Sequence, residues 1–556
     1  MGKLKPFLPL GAVVCCLAAA EPQPVEQLAA VPGGAQVRLR LVFRQGIQVE
    51  AAGLPPAFRE PGARSRTRWL TFEELSSEGR RWVLQTLWPE DLWRKDEVVH
   101  QVRWPELESL WLMASLFCAH GQNYDQLQAA NPGNPEKLAV GDRWRIPSHL
   151  LARYLGGPVR GILERAQPED ELDDEARVAA YRALLSYDTD RQGPYAAYRL
   201  RRGEALYSSV VMRFTDRVDP KEVNELAQAL ARRSGIEDVR SIPAGSLIRI
   251  PVAYLAGPFQ PEGTQALKEE REVRAEIRRT ARIDAGPRLK GVRIVLDPGH
   301  GGVDVGAMAN GVWESDYVYD LTMRVKRILE QDTEATVSVT LRNPSLGDAI
   351  RDRIPAPTRD AVLLTTPTVP NDGETSGAVS AHLRWVLANA WFTEFARRGD
   401  ARRTLFLSFH ADSLHPSAQG TMVYVPGASG IPARFTLGTG RLPRVKESAT
   451  GARVVFTSRE RLQSEARSRV FAEGLLKALR RERLPIHANR PIRAVIHRSG
   501  RSFVPAVLRH NRAATKALLE VANLTNEADA ENLKDPVFRE RYAEAVVKGI
   551  RAYYGK

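Results

Sequence analysis

Residues 292–302 read VRIVLDPGHGG, an apolar strand-like run followed at once by an acid, a proline and a glycine-rich turn. Further strand-like runs lie at 336–341, 404–409 and 517–521. Helical periodicity separates them, with apolar residues recurring every three or four positions after residue 317. This alternation is typical of an α/β fold whose ligand sites form at strand ends. We therefore predict a twisted mixed sheet flanked by helices over residues 289–556.

Chemically capable side chains stand at or near these strand ends. His300 follows the first strand, His410 follows the strand beginning at Thr404, and Glu520 lies in the last strand. Zinc hydrolases commonly use three nitrogen or oxygen ligands and one water, whose pKa falls to about 7. His300, Glu314 and His410 could supply such a ligand set. Glu520 could then take a proton from water and pass it to a leaving amine.

Three ordered blocks make this segment resemble the zinc-dependent N-acetylmuramoyl-L-alanine amidases typified by the bacterial cell-separation enzymes. The blocks are DPGHGG at 297–302 with Asp304, Gly306 and Glu314; SFHAD at 408–412 with a glycine-led strand at 420–424; and residues 518–526. The resemblance implies that His300, Glu314 and His410 bind Zn²⁺ and that Glu520 is the catalytic glutamate. It also implies hydrolysis of the amide between N-acetylmuramic acid and L-alanine in peptidoglycan, for cell-wall remodelling or cell separation.

The segment departs from the family pattern in two ways. Val521, Ala522 and Asn523 stand where the family usually has Gly-Phe, which leaves the shape of that wall of the site open. Residues 343–382 and 426–462 are long additions rich in Pro, Gly and Thr, which we expect to cover or regulate the cleft. Two other functions therefore stay open: a catalytically impaired peptidoglycan-binding regulator, and another zinc peptidase of the cell wall.

Upstream, two stretches about a hundred residues apart end alike, as GDRWRIP at 141–147 and GSLIRIP at 245–251. In each, a glycine permits a turn, apolar residues alternate as in a half-buried strand, and a proline stops the strand. Apolar spacing before each signature fits short helices. This βααβ order resembles the LysM module, which binds glycans containing N-acetylglucosamine. We predict LysM-like modules at 96–150 and 196–253, although only the second has the glycine-acid pair of the family, Gly203-Glu204.

The remaining segments carry less information. Residues 1–20 have a basic start, an apolar run and small residues at the end, as in a signal peptide. Residues 21–95 contain four tryptophans, which indicates a packed region without assigning a role. Residues 254–288 form a charged linker, predicted to be helical and solvated over 264–283. After signal cleavage Cys118 is the sole cysteine, which excludes an internal disulfide and a thiolate metal site.

The chain has a formal net charge of +14, which favours an anionic partner. Nucleic acid is not expected, because the chain has an export signal and no nucleic-acid motif, whereas peptidoglycan carries carboxylates. No second apolar run approaches the roughly 20 residues of a membrane span, so no stable span is expected once the signal is cleaved. We therefore predict an exported protein of the periplasm or cell wall that acts on peptidoglycan, and a protein activator stays open as a further partner.

Overall fold

The computed structural model describes residues 22–43, 45–60, 68–132, 138–157, 174–237, 239, 242–280, 283–354, 356–372, 377–438 and 443–555. The predicted signal peptide at 1–20 lies outside these residues. The chain divides into two compact units, residues 1–163 and 164–556. Among the described residues, no helix combines the length and the apolar character that crossing a membrane requires.

The first unit contains an antiparallel sheet in the region without an assigned role. Its strands run in the order β1 (Val25–Ala30), β2 (Gln36–Val42), β3 (Gly46–Glu50) and β4 (Trp69–Thr71). Helix α1 (Ser77–Leu87) follows it and is capped by Ser76, whose side chain accepts a hydrogen bond from the backbone N–H of Gly79. Alternate β2 residues, Val37, Leu39 and Leu41, are fully buried. This region therefore has the apolar core that its tryptophans indicated.

The next part of the first unit along the chain has the predicted order of strands and helices. It comprises β5 (Leu92–Trp93), β6 (Glu97–Gln101), α2 (Leu110–Phe117), α3 (Tyr124–Ala129) and β7 (Arg143–Pro147). Strands β6 and β7 pair antiparallel, although both helices lie between them along the chain. Cys118, directly after α2, is buried, and burial raises the pKa of its thiol to about 12.

The second unit begins with a similar arrangement. It comprises α4 (Asp174–Ala183), β8 (Ser186–Asp190), β9 (Gly193–Arg199), a π-helix (Leu206–Met212), α5 (Arg213–Thr215), α6 (Pro220–Ser234) and β10 (Leu247–Pro251). Strand β10 pairs antiparallel with β9, which in turn pairs with β8. Helix α6 begins with Asp219 capping two backbone amides and ends at Gly235 in the left-handed conformation. We refer to residues 196–253 as the second βααβ segment.

The two βααβ segments match in hydrogen-bonding register. His100 pairs with Trp144 in the first, and Tyr198 pairs with Ile248 in the second, so both partners hold the same place in their signatures. The backbone N–H of the glycine that opens each signature donates a hydrogen bond to a carbonyl at the end of the paired strand. The bond is 2.8 Å long for Gly141 and 2.7 Å long for Gly245. The predicted repeat is therefore present as an equivalent backbone arrangement.

The first segment also has an acid that the sequence pattern did not reveal. Glu108 Oε2 lies 3.1 Å from His100 Nε2, and Glu204 Oε2 accepts a 2.5 Å hydrogen bond from the Tyr198 hydroxyl. Both acids are buried and follow their strand partners by eight and six residues respectively. Glu108 lies two residues further from its strand partner than Glu204 does from Tyr198. The sequence pattern therefore did not identify it as the equivalent acid.

Between this segment and the main sheet lies α7 (Gln265–Arg279), the helix predicted as a solvated linker. It differs from that prediction because Leu267 and Val273 are buried. Glu270 also pairs with Arg469 at 3.3 Å, and both side chains are largely buried. The Arg and Glu residues that suggested full solvation thus include partners for the neighbouring helix.

The main sheet has six strands in the order β14, β11, β18, β25, β19 and β22. Neighbours pair parallel except for β19 with β25, so the sheet is mixed, as predicted. Its strands are β11 (Arg293–Pro298), β14 (Thr336–Val339), β18 (Thr404–His410), β19 (Met422–Tyr424), β22 (Ile492–Arg493) and β25 (Thr515–Glu520). The short strands around it are β12 (Met308–Ala309), β13 (Val312–Trp313), β15 (Leu341–Arg342), β16 (Val362–Leu363), β17 (Val369–Pro370), β20 (Arg434–Thr436), β21 (Arg453–Val455), β23 (Ile496–Arg498) and β24 (Arg501–Phe503).

Helices cover both faces of this sheet. They are α8 (Glu314–Asp332), α9 (Gly377–Ala396), α10 (Ser448–Gly451), α11 (Ser458–Arg481), α12 (Ala506–Arg509), α13 (Glu527–Lys534) and α14 (Pro536–Tyr554). Leu405 and Leu407 of β18 pack into the core that contains α8, α11 and α14, whereas Phe406 packs with residues of α9 and α12. Successive residues of a strand point to opposite faces, so both faces of this strand are apolar. The central strands read as continuous apolar runs for this reason.

Candidate metal centre

Three sequence-predicted residues, His300, Glu314 and His410, meet at the carboxyl ends of β11 and β18. Glu314 Oε2 lies 3.4 Å from His300 Nε2, and Glu314 Oε1 lies 2.9 Å from His410 Nδ1. One nitrogen or oxygen atom from each residue lies within 4.8 Å of the others. Parallel pairing of β11 with β18 brings the two histidine-bearing segments to the same edge. The structure therefore brings together the two imidazoles and the carboxylate.

Glycines of the first block leave the room that these side chains occupy. A methyl group on Gly299 would lie 2.5 Å from His410 Cε1, and one on Gly306 would lie 2.5 Å from Glu314 Oε2. His300 itself has φ of +60°, a left-handed conformation that few residues with a side chain adopt. The DPGHGG block is thus required both for the turn and for the close approach of the second histidine.

Glu314 is oriented by backbone donors as well as by the imidazoles. Its Oε2 accepts a 2.8 Å hydrogen bond from Ala307 N–H, and its Oε1 accepts a 3.0 Å bond from Ala411 N–H. Burial opposes ionisation of this carboxyl, but His300 and His410 outweigh burial and lower the pKa of Glu314. The side chain is therefore held as a carboxylate facing both histidines.

Asp304 supports His300 from the other side of the ring. Its Oδ1 lies 3.0 Å from His300 Nδ1. Burial would lower the pKa of His300, yet the nearby carboxylates of Glu314 and Asp304 raise it. A negative charge beside one ring nitrogen favours a proton there and leaves the other nitrogen for a ligand.

Glu520 lies next to this cluster but is not part of it. It is paired in register with His410 across β18 and β25 and is buried. Its Oε2 has no hydrogen-bond partner among the described residues. Burial, followed by the negative charges of Asp412 and Glu314, raises the pKa of Glu520. Buried polar atoms are usually hydrogen-bonded, so an oxygen without a partner here is consistent with a functional role.

The donor set fits a divalent transition-metal ion. Imidazole nitrogen and carboxylate oxygen are common ligands of such ions, and tetrahedral ligands at 2.0–2.1 Å from an ion lie roughly 3.4 Å apart. The 3.4 Å between His300 Nε2 and Glu314 Oε2 matches this spacing. These three residues could therefore hold a metal, and Glu520 lies opposite His410 on the neighbouring strand.

Arg384 of α9 is a supporting residue that the sequence analysis did not identify. It donates to Asp297 Oδ1 at 2.8 Å and also to the backbone carbonyls of Pro298 and His300. Asp297 further accepts a 2.7 Å hydrogen bond from Ser408 Oγ. A buried arginine in a helix of mixed polarity has no distinctive spacing, so no sequence signal pointed to it.

The described part of the addition at 343–382, which we expected to cover or regulate the cleft, contacts and supports the His300 turn. Asn371 O accepts a 2.9 Å hydrogen bond from Val303 N–H, and Asn371 Nδ2 donates to Gly301 O. A methyl group on Gly302 would collide with the Asn371 carbonyl, at 1.9 Å. The third glycine of the block is therefore required by this addition.

The unusual residues after Glu520 form an ordered wall. Asn523 Oδ1 accepts a 2.8 Å hydrogen bond from Leu414 N–H, and its Nδ2 donates to His415 O at 2.9 Å and Ala418 O at 2.7 Å. Asp529 in turn accepts a 2.9 Å bond from Asn523 N–H. The residues that depart from the family pattern therefore anchor the loop that follows His410. They remove no polar group from the site.

Comparison with known proteins shows what this part of the chain is similar to. Residues 294–552, just under half of the chain, match the family model described as N-acetylmuramoyl-L-alanine amidase. An uncharacterized cell wall amidase of Bacillus anthracis is 25% identical over 268 residues, which cover 48% of this chain and 36% of that protein. The N-acetylmuramoyl-L-alanine amidase CwlM of Mycobacterium tuberculosis is 40% identical over 77 residues, covering 13% of this chain and 17% of that protein.

The match thus spans about a third and about a sixth of the lengths of these two curated relatives. Among solved structures, the amidase Ami1 of Mycobacterium smegmatis has a TM-score of 0.29 at 18% identity, covering 48% of this chain and 98% of that chain. The amidase AmiC2 of Nostoc punctiforme has a TM-score of 0.27 at 21% identity, covering 47% of this chain and 97% of that chain.

Proposed function

We propose that this protein is a zinc-dependent N-acetylmuramoyl-L-alanine amidase, in which the domain at 294–552 hydrolyses the amide between N-acetylmuramic acid and L-alanine in peptidoglycan. The observation that carries the proposal is the cluster of His300, Glu314 and His410 beside the buried Glu520, inside a segment that matches the amidase family. In this proposal the first three residues hold Zn²⁺, and Glu520 is the catalytic residue.

Zn²⁺ bound there would polarise the scissile carbonyl and acidify a water. Glu520 would accept a proton from the attacking water and return it to the amine nitrogen as the amide C–N bond breaks. Burial raises the pKa of Glu520, so its carboxylate holds a proton more readily once it has accepted one. Asp304 and the backbone amides of Ala307 and Ala411 keep the ligand side chains oriented throughout.

Peptidoglycan is the substrate in this proposal, and the +14 net charge of the chain suits its carboxylates. We further propose that the two βααβ segments are LysM-like modules that bind its glycan. The signal peptide at 1–20 would direct the protein to the periplasm or cell wall. A protein activator is part of the same hypothesis and is tested by adding wall-associated proteins to the purified enzyme.

The direct test is mass spectrometry of isolated peptidoglycan digested with the purified protein, with and without a chelator. We expect released stem peptides that carry a new L-alanine amino terminus, and we expect the chelator to abolish them. Products with only new reducing sugar ends, or only shortened stems, would contradict the amidase assignment. No product from any wall, despite a full complement of metal, would favour the impaired regulator instead.

A further inference from the structure

The second βααβ segment shares a continuous core with the catalytic domain. Leu414, Ala418 and Met422 belong to the same buried cluster as the apolar residues of β9, α6 and β10. The rings of Tyr207 and His415 stack at 5.5 Å with 13° between their planes, and His415 N–H donates to Val218 O at 2.8 Å. The contact therefore involves the loop that leaves His410, and it is apolar, as in a stable domain core.

Buried charges join the same two parts. Asp216, which has φ of +60° at the end of α5, lies 2.8 Å from Arg490 Nη1 and 3.2 Å from Arg493 Nη1. All three side chains are nearly buried. A buried ion pair tolerates little displacement, because an unpaired charge left there is costly. The segment is consequently docked in one orientation.

The docked segment holds the hairpin formed by β23 and β24, residues 496–503. Glu222 Oε1 accepts a 2.7 Å hydrogen bond from Gly500 N–H at the hairpin tip. Ser499 and Gly500 have φ of +54° and +71°, as in the tight turns that join two antiparallel strands. A charge-assisted bond to the tip limits how far this hairpin can move.

Arg498, at the end of β23, connects the hairpin to the catalytic cleft. Its Nη2 donates a 3.1 Å hydrogen bond to Asp412 Oδ1, and its Nε lies 3.6 Å from Asp219 Oδ2. Asp412 stands two residues after His410. The charge of Asp412, and more weakly those of Asp219 and Glu520, raise the pKa of Arg498. The Arg498 side chain is about half exposed, at 49%, and contacts the segment that directly follows His410.

We propose that Arg498 is a positioning residue of the amidase reaction and that Glu222, in the second βααβ segment, holds it in place against Asp412. This inference rests on the proposed function. It assigns to residues 196–253 a second task besides binding glycan, as part of the cleft wall. A segment that only tethers the enzyme would raise the local concentration of polymeric substrate. A positioning segment must also matter for a small soluble substrate that needs no tether.

The test measures kcat and KM of the full chain on a soluble disaccharide-peptide fragment and on insoluble peptidoglycan. The variants are Glu222→Ala, Arg498→Ala and the double variant, with Glu225→Ala as a matched control on the exposed face of the same helix. We expect kcat on the soluble fragment to fall about tenfold in each single variant, with bound metal and melting temperature unchanged. The double variant should be no worse than the singles, because both act through one hairpin.

Glu222→Gln provides the rescue, since its amide oxygen still accepts the bond from Gly500 N–H, and its kcat should stay near that of the unmodified protein. Loss of activity on insoluble wall alone would overturn the proposal in favour of a tether. Normal kcat in Arg498→Ala on both substrates would also overturn it. This variant keeps the fold intact, because the half-exposed side chain fills no core. If the unmodified protein releases no stem peptide from either substrate, the proposed function itself fails.

Discussion

Arg384 Nη1 and Asp297 Oδ1 form a buried 2.8 Å ion pair that ties helix α9 to the strand preceding His300. Arg384 also bonds the His300 carbonyl, so one side chain supports both the strand end and the turn. This relationship makes α9 part of the support of the candidate metal centre, although α9 contributes no residue to the His300, Glu314 and His410 cluster.

Arg384→Gln should therefore destabilise the second unit by about 3–5 kcal/mol, because it leaves the charge of Asp297 buried with weaker partners. Bound metal should fall as well, since the turn loses a donor. Chemical denaturation and metal analysis measure the two effects. Arg402→Ala, which breaks an exposed pair with Asp400, is the control and should change stability by about 1 kcal/mol or less. Equal effects of the two variants would contradict this assignment.

Gly299→Ala tests the close approach at the metal centre. Its methyl group would lie 2.5 Å from His410 Cε1 and 2.6 Å from Phe409 O, so the second histidine must shift. We expect roughly 10- to 100-fold weaker metal binding, measured by competition with a chelator. Gly474→Ala, which meets open space on helix α11, should instead stabilise the protein by about 0.5–1 kcal/mol. Unchanged metal affinity in Gly299→Ala would show that His410 has more room beside Gly299 than these distances indicate.

Glu520→Gln and His300→Ala separate metal binding from proton transfer. Glu520 lies outside the cluster of three candidate ligands, so Glu520→Gln should keep its metal while kcat falls by about 10²- to 10⁴-fold. His300→Ala should lose both metal and turnover. Metal content and kcat are measured on the same preparations. A normal rate in Glu520→Gln would remove this residue from the proposed role.

The first unit should show a pH dependence of its own. Burial would lower the pKa of His100, but Asp91 at 2.9 Å and Glu108 at 3.1 Å raise it to about 9. A folded-state pKa above the usual 6.5 means that the charged histidine stabilises the fold fully below pH 6.5. That contribution is lost as the pH rises towards 9 and is absent above it.

Urea denaturation of the first unit between pH 6 and pH 10 measures this loss. In His100→Gln the decline over that range should disappear, whereas stability at pH 6 should be lower than that of the unmodified protein. His149→Gln is the control, because this histidine lies in a short helical turn outside the buried His100 cluster. A slope that persists unchanged in His100→Gln would assign the titration to another group.

The candidate site was largely predictable because its residues stand at strand ends. In a layered α/β fold the carboxyl ends of parallel strands share one edge, so the sequence alone predicts that His300 and His410 lie close together. The family resemblance supported the roles that the residues themselves suggested for Glu314 and Glu520. The partial burial of α7 was not predictable in the same way. In the sequence Glu270 is indistinguishable from a surface charge, and only the fold shows that it pairs with Arg469.

The sequence by itself predicted the α/β layers of the C-terminal domain, the four candidate site residues and the repeated βααβ order, because these follow from local periodicity and from motifs of fixed spacing. The tertiary structure alone decided that Arg384 supports the His300 turn and that Glu222 holds the hairpin carrying Arg498. These pairs are 84 and 278 positions apart, respectively, for Arg384 with His300 and Glu222 with Gly500. The local sequence around a charged side chain does not indicate which distant residue it will contact. Only the packing of the intervening chain brings the two together.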